Sequence, residues 1–356
     1  MDSPTEATNK HGDVTEWLST FKIEVSSNYP SVYGNGLQQV EVTVTVEAVE
    51  GETITHTQRD SLAIGYLDSE GIYKPLPVHP TEESDQTEDF DWFVSLEHDE
   101  RFGYYEGSGK TEVTSSPPSS ASRAELTKIF YVSTVASGGS KITLRARIDK
   151  TEVEQYVTED TFDSSVDLSS VSVPTYSSPD DYDWGISWPD GGPPANAFVQ
   201  EWSLTAGHPG FAYAEARDDN PNGMIKWQRN AVDESAASNV GVAYPGDTEF
   251  RFNESIVVGA DFAERRHKEV KSTNSQQAVV VVLQADNLIP FYAGGLLHQG
   301  PCRVLAFDKN GNSHELEFSF GSGSPYEQRT TLQVNAYSPA HVDHRSVKTS
   351  DGAVKK

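Results

Sequence analysis

The chain has 356 residues, with 27 Lys plus Arg against 54 Asp plus Glu, a formal charge of −27. A field of that sign repels nucleic-acid phosphates and anionic lipid, so nucleic-acid binding is not expected and cationic partners are favoured. No stretch approaches the roughly 20 apolar residues of a membrane-spanning helix, and the single cysteine, Cys302, excludes both an intrachain disulfide and a multi-cysteine metal site.

Residues 1–16 are polar and aperiodic and read as a loose tail. They carry Asp2, Glu6 and Asp13 and lack the basic-then-apolar order of a secretory signal. Localisation stays open: the protein remains in the cytoplasm, is released by a non-classical route or lysis, or has a leader that this sequence does not include. The length suits about two domains, and 15 Phe, 15 Tyr and 6 Trp give each of them large side chains to bury.

A first domain is expected over 17–162. Short apolar runs at 21–25, 61–66, 92–96, 129–133 and 141–148 read as strands, and Gly/Ser/Asn punctuation separates them. The clearest is 39–49, where Val40, Val42, Val44 and Val46 alternate with Glu41, Thr43, Thr45 and Glu47, the pattern of a half-buried strand. Residues 122–126 suit one helical turn. Acid is concentrated in 82–100, where Glu82, Glu83, Asp85, Glu88, Asp89, Asp91, Glu97, Asp99 and Glu100 occur without Lys or Arg.

A linker is expected over 163–195, where Ser clusters, Pro174, Pro179, Pro189, Pro193 and Pro194 resist both helix and central strand. Its Tyr176, Tyr182, Trp184 and Trp188 are unusual in a free tether and suggest that it lies against a domain. A second domain over 196–338 shows strand signals at 198–204, 211–216, 224–229, 248–252, 278–285, 302–307, 313–320 and 330–336, with a short surface helix at 261–270. Lys309-Asn310-Gly311-Asn312 between two alternating runs is a strong hairpin signal. Residues 339–356 read as a second tail. The fold class is therefore all-β: two tandem β-sandwich domains joined by a Pro/Gly/Ser-rich linker, the second sandwich- or jelly-roll-like.

The run VYGNGLQQVEVTVTVEAVEG at 32–51 and YVSTVASGGSKITLRARI at 131–148 resemble the opening strand and closing hairpin of bacterial immunoglobulin-like repeats of the invasin/intimin type. The resemblance covers the first domain only, which departs from it by the acidic insertion around 80–120. It implies an Ig-like sandwich serving adhesion, a surface stalk or a phage assembly, with no catalytic residues.

Asp89-Phe90-Asp91-Trp92 and Asp181-Tyr182-Asp183-Trp184 repeat one pattern. In an extended chain the two acids would share a face, with the aromatic rings opposite. Such a pair beside Trp could grip a cation, a metal or a sugar; alternatively each Trp anchors a strand while the acids face solvent. Asp308, Asn310 and Asn312 alternate oxygen ligands, but Gly311 and Ser319 stand at the wrong places for a helix–loop–helix calcium loop. His341 and His344 fall short of the three or four ligands of a zinc site, so no metal and no cofactor is expected. His208 and His298 read as ordinary loop residues. Neither 136–140 (ASGGS) nor 319–323 (SFGSG) fits Gly-x-Ser-x-Gly, and no phosphate-cradling Gly loop occurs.

The one concentrated basic patch, 264–271 with Arg265 and Arg266, could dock an acidic surface of a partner or of a second copy. The reading is a non-enzymatic binding or structural protein with a protein or glycan partner and possible self-assembly. Two others stand beside it: a carbohydrate-binding protein using Trp184 and Trp188, and a secreted toxin or effector; a hydrolase built on two distant carboxylates, which leaves no spacing signature, also stays open.

Overall fold

The computed structural model describes residues 14–78, 90–107, 125–159, 161–207, 210–217 and 222–338. The chain is all-β and divides between Val173 and Pro174 into two units, each a sandwich of largely antiparallel sheets.

Unit 1 contains β1 (Leu18–Val25), β2 (Ser31–Tyr33), β3 (Val40–Ala48), a helical turn α1 (His56–Asp60), β4 (Ala63–Leu67), β5 (Tyr73–Pro75), β6 (Trp92–Ser95), β7 (Glu125–Thr134), β8 (Lys141–Asp149), β9 (Gln155–Val157) and β10 (Val166–Val171). One sheet runs β1-β3-β7-β6 and the other β2-β10-β8-β4-β5, with β9 also paired to β8. Burial alternates along all of β3, as its Val/Thr period requires. Its valines meet Phe21, Phe130, Leu144, Ala146 and Leu168 in one core between the sheets. The other face of β3 keeps Glu41, Thr43 and Thr45 half-buried.

Unit 2 contains β11 (Asp183–Asp190), β12 (Phe198–Thr205), β13 (Phe211–Ala216), β14 (Gly223–Trp227), β15 (Ala237–Ala243), α2 (Ala260–Glu264), β16 (Val279–Asp286), β17 (Cys302–Asp308), β18 (Ser313–Phe320), α3 (Pro325–Thr330) and β19 (Leu332–Tyr337). The sheets run β11-β12-β16-β15-β14 and β13-β17-β18-β19. Every residue of β15 and β16 is buried. Val279, Val281 and Leu283 face the second sheet, whereas Val280 and Val282 pack with Phe250, Phe252 and Val270 from the connection at 244–272. That connection is a third layer. A continuous apolar run thus marks a strand covered on both faces. Cys302 is fully buried, and burial pushes its thiol up to about 11.

The segment read as a linker is strand on both sides of the unit boundary. β10 pairs with β8 and β2 in unit 1, while β11 forms the edge of a sheet in unit 2. An edge tolerates Pro189 because its outward N–H has no ladder partner to lose. Tyr176 and Tyr182 lie against unit 2, as their aromatic content suggested: the Tyr182 hydroxyl meets His314 Nδ1 at 2.9 Å, and Tyr176 C=O accepts from Ser338 N–H. The expected helix at 261–270 shortens to α2, and the strand expected at 248–252 is reduced to isolated bridges. Of the helical turn expected at 122–126, the described part begins β7.

Candidate functional site

The two linker tryptophans lie on opposite faces of the β11 sheet. Trp184 pairs with Leu204 and Trp188 with Glu201, and the register shifts between Ile186 and Trp188. Trp184 therefore turns into the sandwich, stacking on Trp202 at 5.3 Å and against Phe318 at 5.5 Å. Trp188 turns outward and stacks on His267 at 5.0 Å with only 12° between the rings. A joint Trp184/Trp188 platform is not formed, because the bulge breaks the period of two.

Beneath Trp188 lies a cluster that the sequence did not reveal. Glu201 is fully buried on the outer face of β12. One carboxylate oxygen accepts from His267 Nε2 at 2.7 Å and from Lys271 N–H at 2.9 Å. The other accepts from Ser272 N–H and Oγ, both at 2.7 Å. Ser272 Oγ is in turn hydrogen-bonded to Ser187 Oγ. Burial pushes the Glu201 carboxyl up, but the bonds from His267, Ser272 and the backbone outweigh it and hold it below the usual glutamate range. Carboxylate, imidazole and hydroxyl are the ingredients of nucleophilic catalysis, but here the hydroxyl bonds the acid, not the imidazole. The cluster closes on itself and ties 267–272 to the sheet.

Arg265 and Arg266 are adjacent in sequence but differ in environment. Arg265 is exposed, its Nη2 3.5 Å from Asp286. Arg266 is half-buried with its guanidinium 4.4 Å over the Phe252 ring. Its Nε is buried without an acceptor, and burial lowers its pKa. The two acids of the second repeat, Asp181 and Asp183, also differ in their surroundings. Asp181 caps a short helical turn over Pro179–Asp181, accepting from Ser177 and Ser178 N–H, while Asp183 is exposed on β11 and Tyr182 between them is buried. Asp91 is exposed, its C=O bonded to Thr134 Oγ1 and Val135 N–H, and Trp92 is buried in the core of unit 1. Asp89, His208, His341 and His344 lie outside the described residues. His298 is half-buried at the end of the turn over Ala293–His298.

Asp308 closes the hairpin turn, its Oδ1 accepting Asn310 and Asn312 N–H and its Oδ2 accepting Asn312 Nδ2. Oδ2 also lies 3.5 Å from the buried His314 Nε2 on β18, so both oxygens are occupied within the hairpin. Among the described residues, no three His, Cys, Asp or Glu side chains converge on a metal-sized site.

In unit 1 the loop 96–107 forms an aromatic surface. Gln39 binds the loop at both ends of its amide, to Glu97 C=O and Asp99 N–H, and Gln38 Nε2 donates to Gly103 C=O. His98 stacks on Tyr104 at 4.8 Å and faces Tyr131 at 5.2 Å. Tyr105 meets Tyr33 at 5.2 Å and Tyr29 at 6.1 Å, edge to face. All six rings are half-buried. The Tyr104 hydroxyl donates to Glu41 at 2.8 Å, and burial together with Glu41 pushes its pKa up. Glu97, Glu100 and Glu106 on the same loop are exposed. The paired tyrosines in GYYEG at 103–107 were the available signal, hidden within a stretch read only for its charge.

No protein-family model matches the chain, and no curated protein matches it. One solved structure, the collagen-binding domain of Erysipelothrix rhusiopathiae surface protein RspB, aligns at 11% identity over 91% of this chain and 98% of that one. Its TM-score is 0.20, a likeness at which two folds do not superpose, so it bears on neither fold nor function.

Proposed function

We propose that the chain is a non-enzymatic binding protein whose first unit grips a basic protein surface on the loop 96–107. The observation that supports this is two half-buried ring clusters held by the same loop, His98 with Tyr104 and Tyr131, and Tyr105 with Tyr29 and Tyr33, with Glu97, Glu100 and Glu106 exposed on that loop. Tyrosines already held by neighbours lose little freedom when a partner covers them, and so contribute large contact area at low entropic cost. Surrounding carboxylates and a net charge of −27 favour Lys or Arg on the partner, which can also lie over the rings.

Peptide-display selection on the immobilised full chain tests the proposal. Enriched peptides carry Lys or Arg, and the double variant Tyr33→Ala/Tyr105→Ala binds them at least about tenfold more weakly. Selection of neutral or acidic peptides, or unchanged binding by the variant, contradicts it. A glycan-array signal that the same variant loses would replace the protein partner by an oligosaccharide, since stacked rings and carboxylates also hold sugar hydroxyls.

A further inference from the structure

Unit 2 carries a surface with different chemistry. An open groove of about 650 Å³ is lined by Phe250, Phe252, Arg251, Arg266 and Lys268. Arg251 is already neutralised, its Nε and Nη2 donating to the two Asp247 oxygens at 2.9 and 3.0 Å. Arg266 is not. Its guanidinium lies 4.4 Å over Phe252 with a buried Nε that lacks an acceptor. Among the described residues neither Arg266 nor the exposed Lys268 pairs with a carboxylate. A desolvated cation without a counter-ion is costly, and stacking on a ring offsets only part of that cost. In a chain with 54 acids and 27 bases, a guanidinium left without an acid beside an open groove needs a reason.

We propose that this groove binds an acidic peptide segment, one Asp or Glu carboxylate pairing with Arg266 while an apolar neighbour packs against Phe252. Lys268 attracts the incoming acid. With Arg251 held by Asp247, Arg266 and Lys268 are balanced by Glu249 and Glu254 in the same groove, so the attraction is local to the unpaired Arg266 guanidinium: one carboxylate is accepted there and a run of them is repelled. This site is independent of the tyrosine surface, and either can fail without the other.

The test is an NMR titration of the full chain with the blocked tripeptide acetyl-Leu-Glu-Leu-amide and with its Gln counterpart. The Glu peptide shifts Arg266 and Lys268 signals saturably, and the Gln peptide binds about tenfold more weakly. Arg266→Met keeps an apolar stem on Phe252 and abolishes binding. Lys268→Ala, at an exposed position, weakens it several-fold without disturbing the fold and decides the matter should Arg266→Met not fold. Equal binding of the two peptides, or shifts confined to other residues, would overturn the proposal. Inorganic phosphate displacing the peptide at a lower concentration than acetate would overturn it as well, by assigning the groove to phosphate.

Discussion

Each unit lays a long connection over the outer face of one sheet, and the two overlays are built differently. In unit 1 the strand beneath alternates, so its outer face already carries Glu41, Thr43 and Thr45 and needs no cover. Loop 96–107 is tied there by the amides of Gln38 and Gln39 and by the Tyr104 hydroxyl, and its rings stay half open. In unit 2 the central strand beneath, β16, is apolar on both faces over 279–283, so the cover is obligatory and a buried carboxylate on neighbouring β12 locks it down. The group most like a catalytic residue, Glu201, is thus consumed by the fold, while the half-buried rings of unit 1 keep exposed area.

The largest expected effect breaks the lock. Glu201→Ala leaves His267, Ser272 and two backbone N–H groups without their acceptor and costs about 3–5 kcal/mol in chemical denaturation. Because the folded carboxyl titrates below its usual value of 4.5, the stabilisation is complete above about that pH and is lost as pH falls through the lower, folded value. Glu201→Gln lacks this dependence, so the wild-type advantage over it shrinks on acidification.

Next come the strands themselves. Val280→Ala and Val281→Ala point to opposite faces of β16, yet each costs about 2 kcal/mol, since both faces are covered. In β3 the same truncation separates the faces: Val44→Ala costs about 2 kcal/mol and Thr45→Ala under about 0.5 kcal/mol. Tyr182→Phe strips the hydroxyl from buried His314 and lowers stability by about 1–3 kcal/mol. At the small end, Arg303→Ala removes an exposed pair with Glu317 and stays within about 0.5 kcal/mol.

How much of this the chain announced depended on whether the physics is local. The period of two in β3 and the apolar run of β16 are local patterns, as is the Asn-Gly turn joining β17 and β18. β10 and β11 were missed because Ser, Gly and Pro weaken their strand signal, and their pairing partners, rather than their own composition, make them strands. β15 was missed too, since ASNVGVA neither alternates nor runs apolar. The site was less legible still. Glu201 and His267 are 66 residues apart and meet only through the fold. Arg265 and Arg266 read as one patch until burial separated them.

Amide hydrogen exchange on the full chain, wild type against Glu201→Gln, bears most directly on the claim that this carboxylate is a structural lock. The amides of Lys271 and Ser272, which donate to it at 2.9 and 2.7 Å, should both be protected in the wild type, and in the variant the one left facing the Gln amide nitrogen should open, while loop 96–107 is unchanged. Amides that exchange at free-loop rates in the wild type, or that keep full protection in the variant, would contradict it.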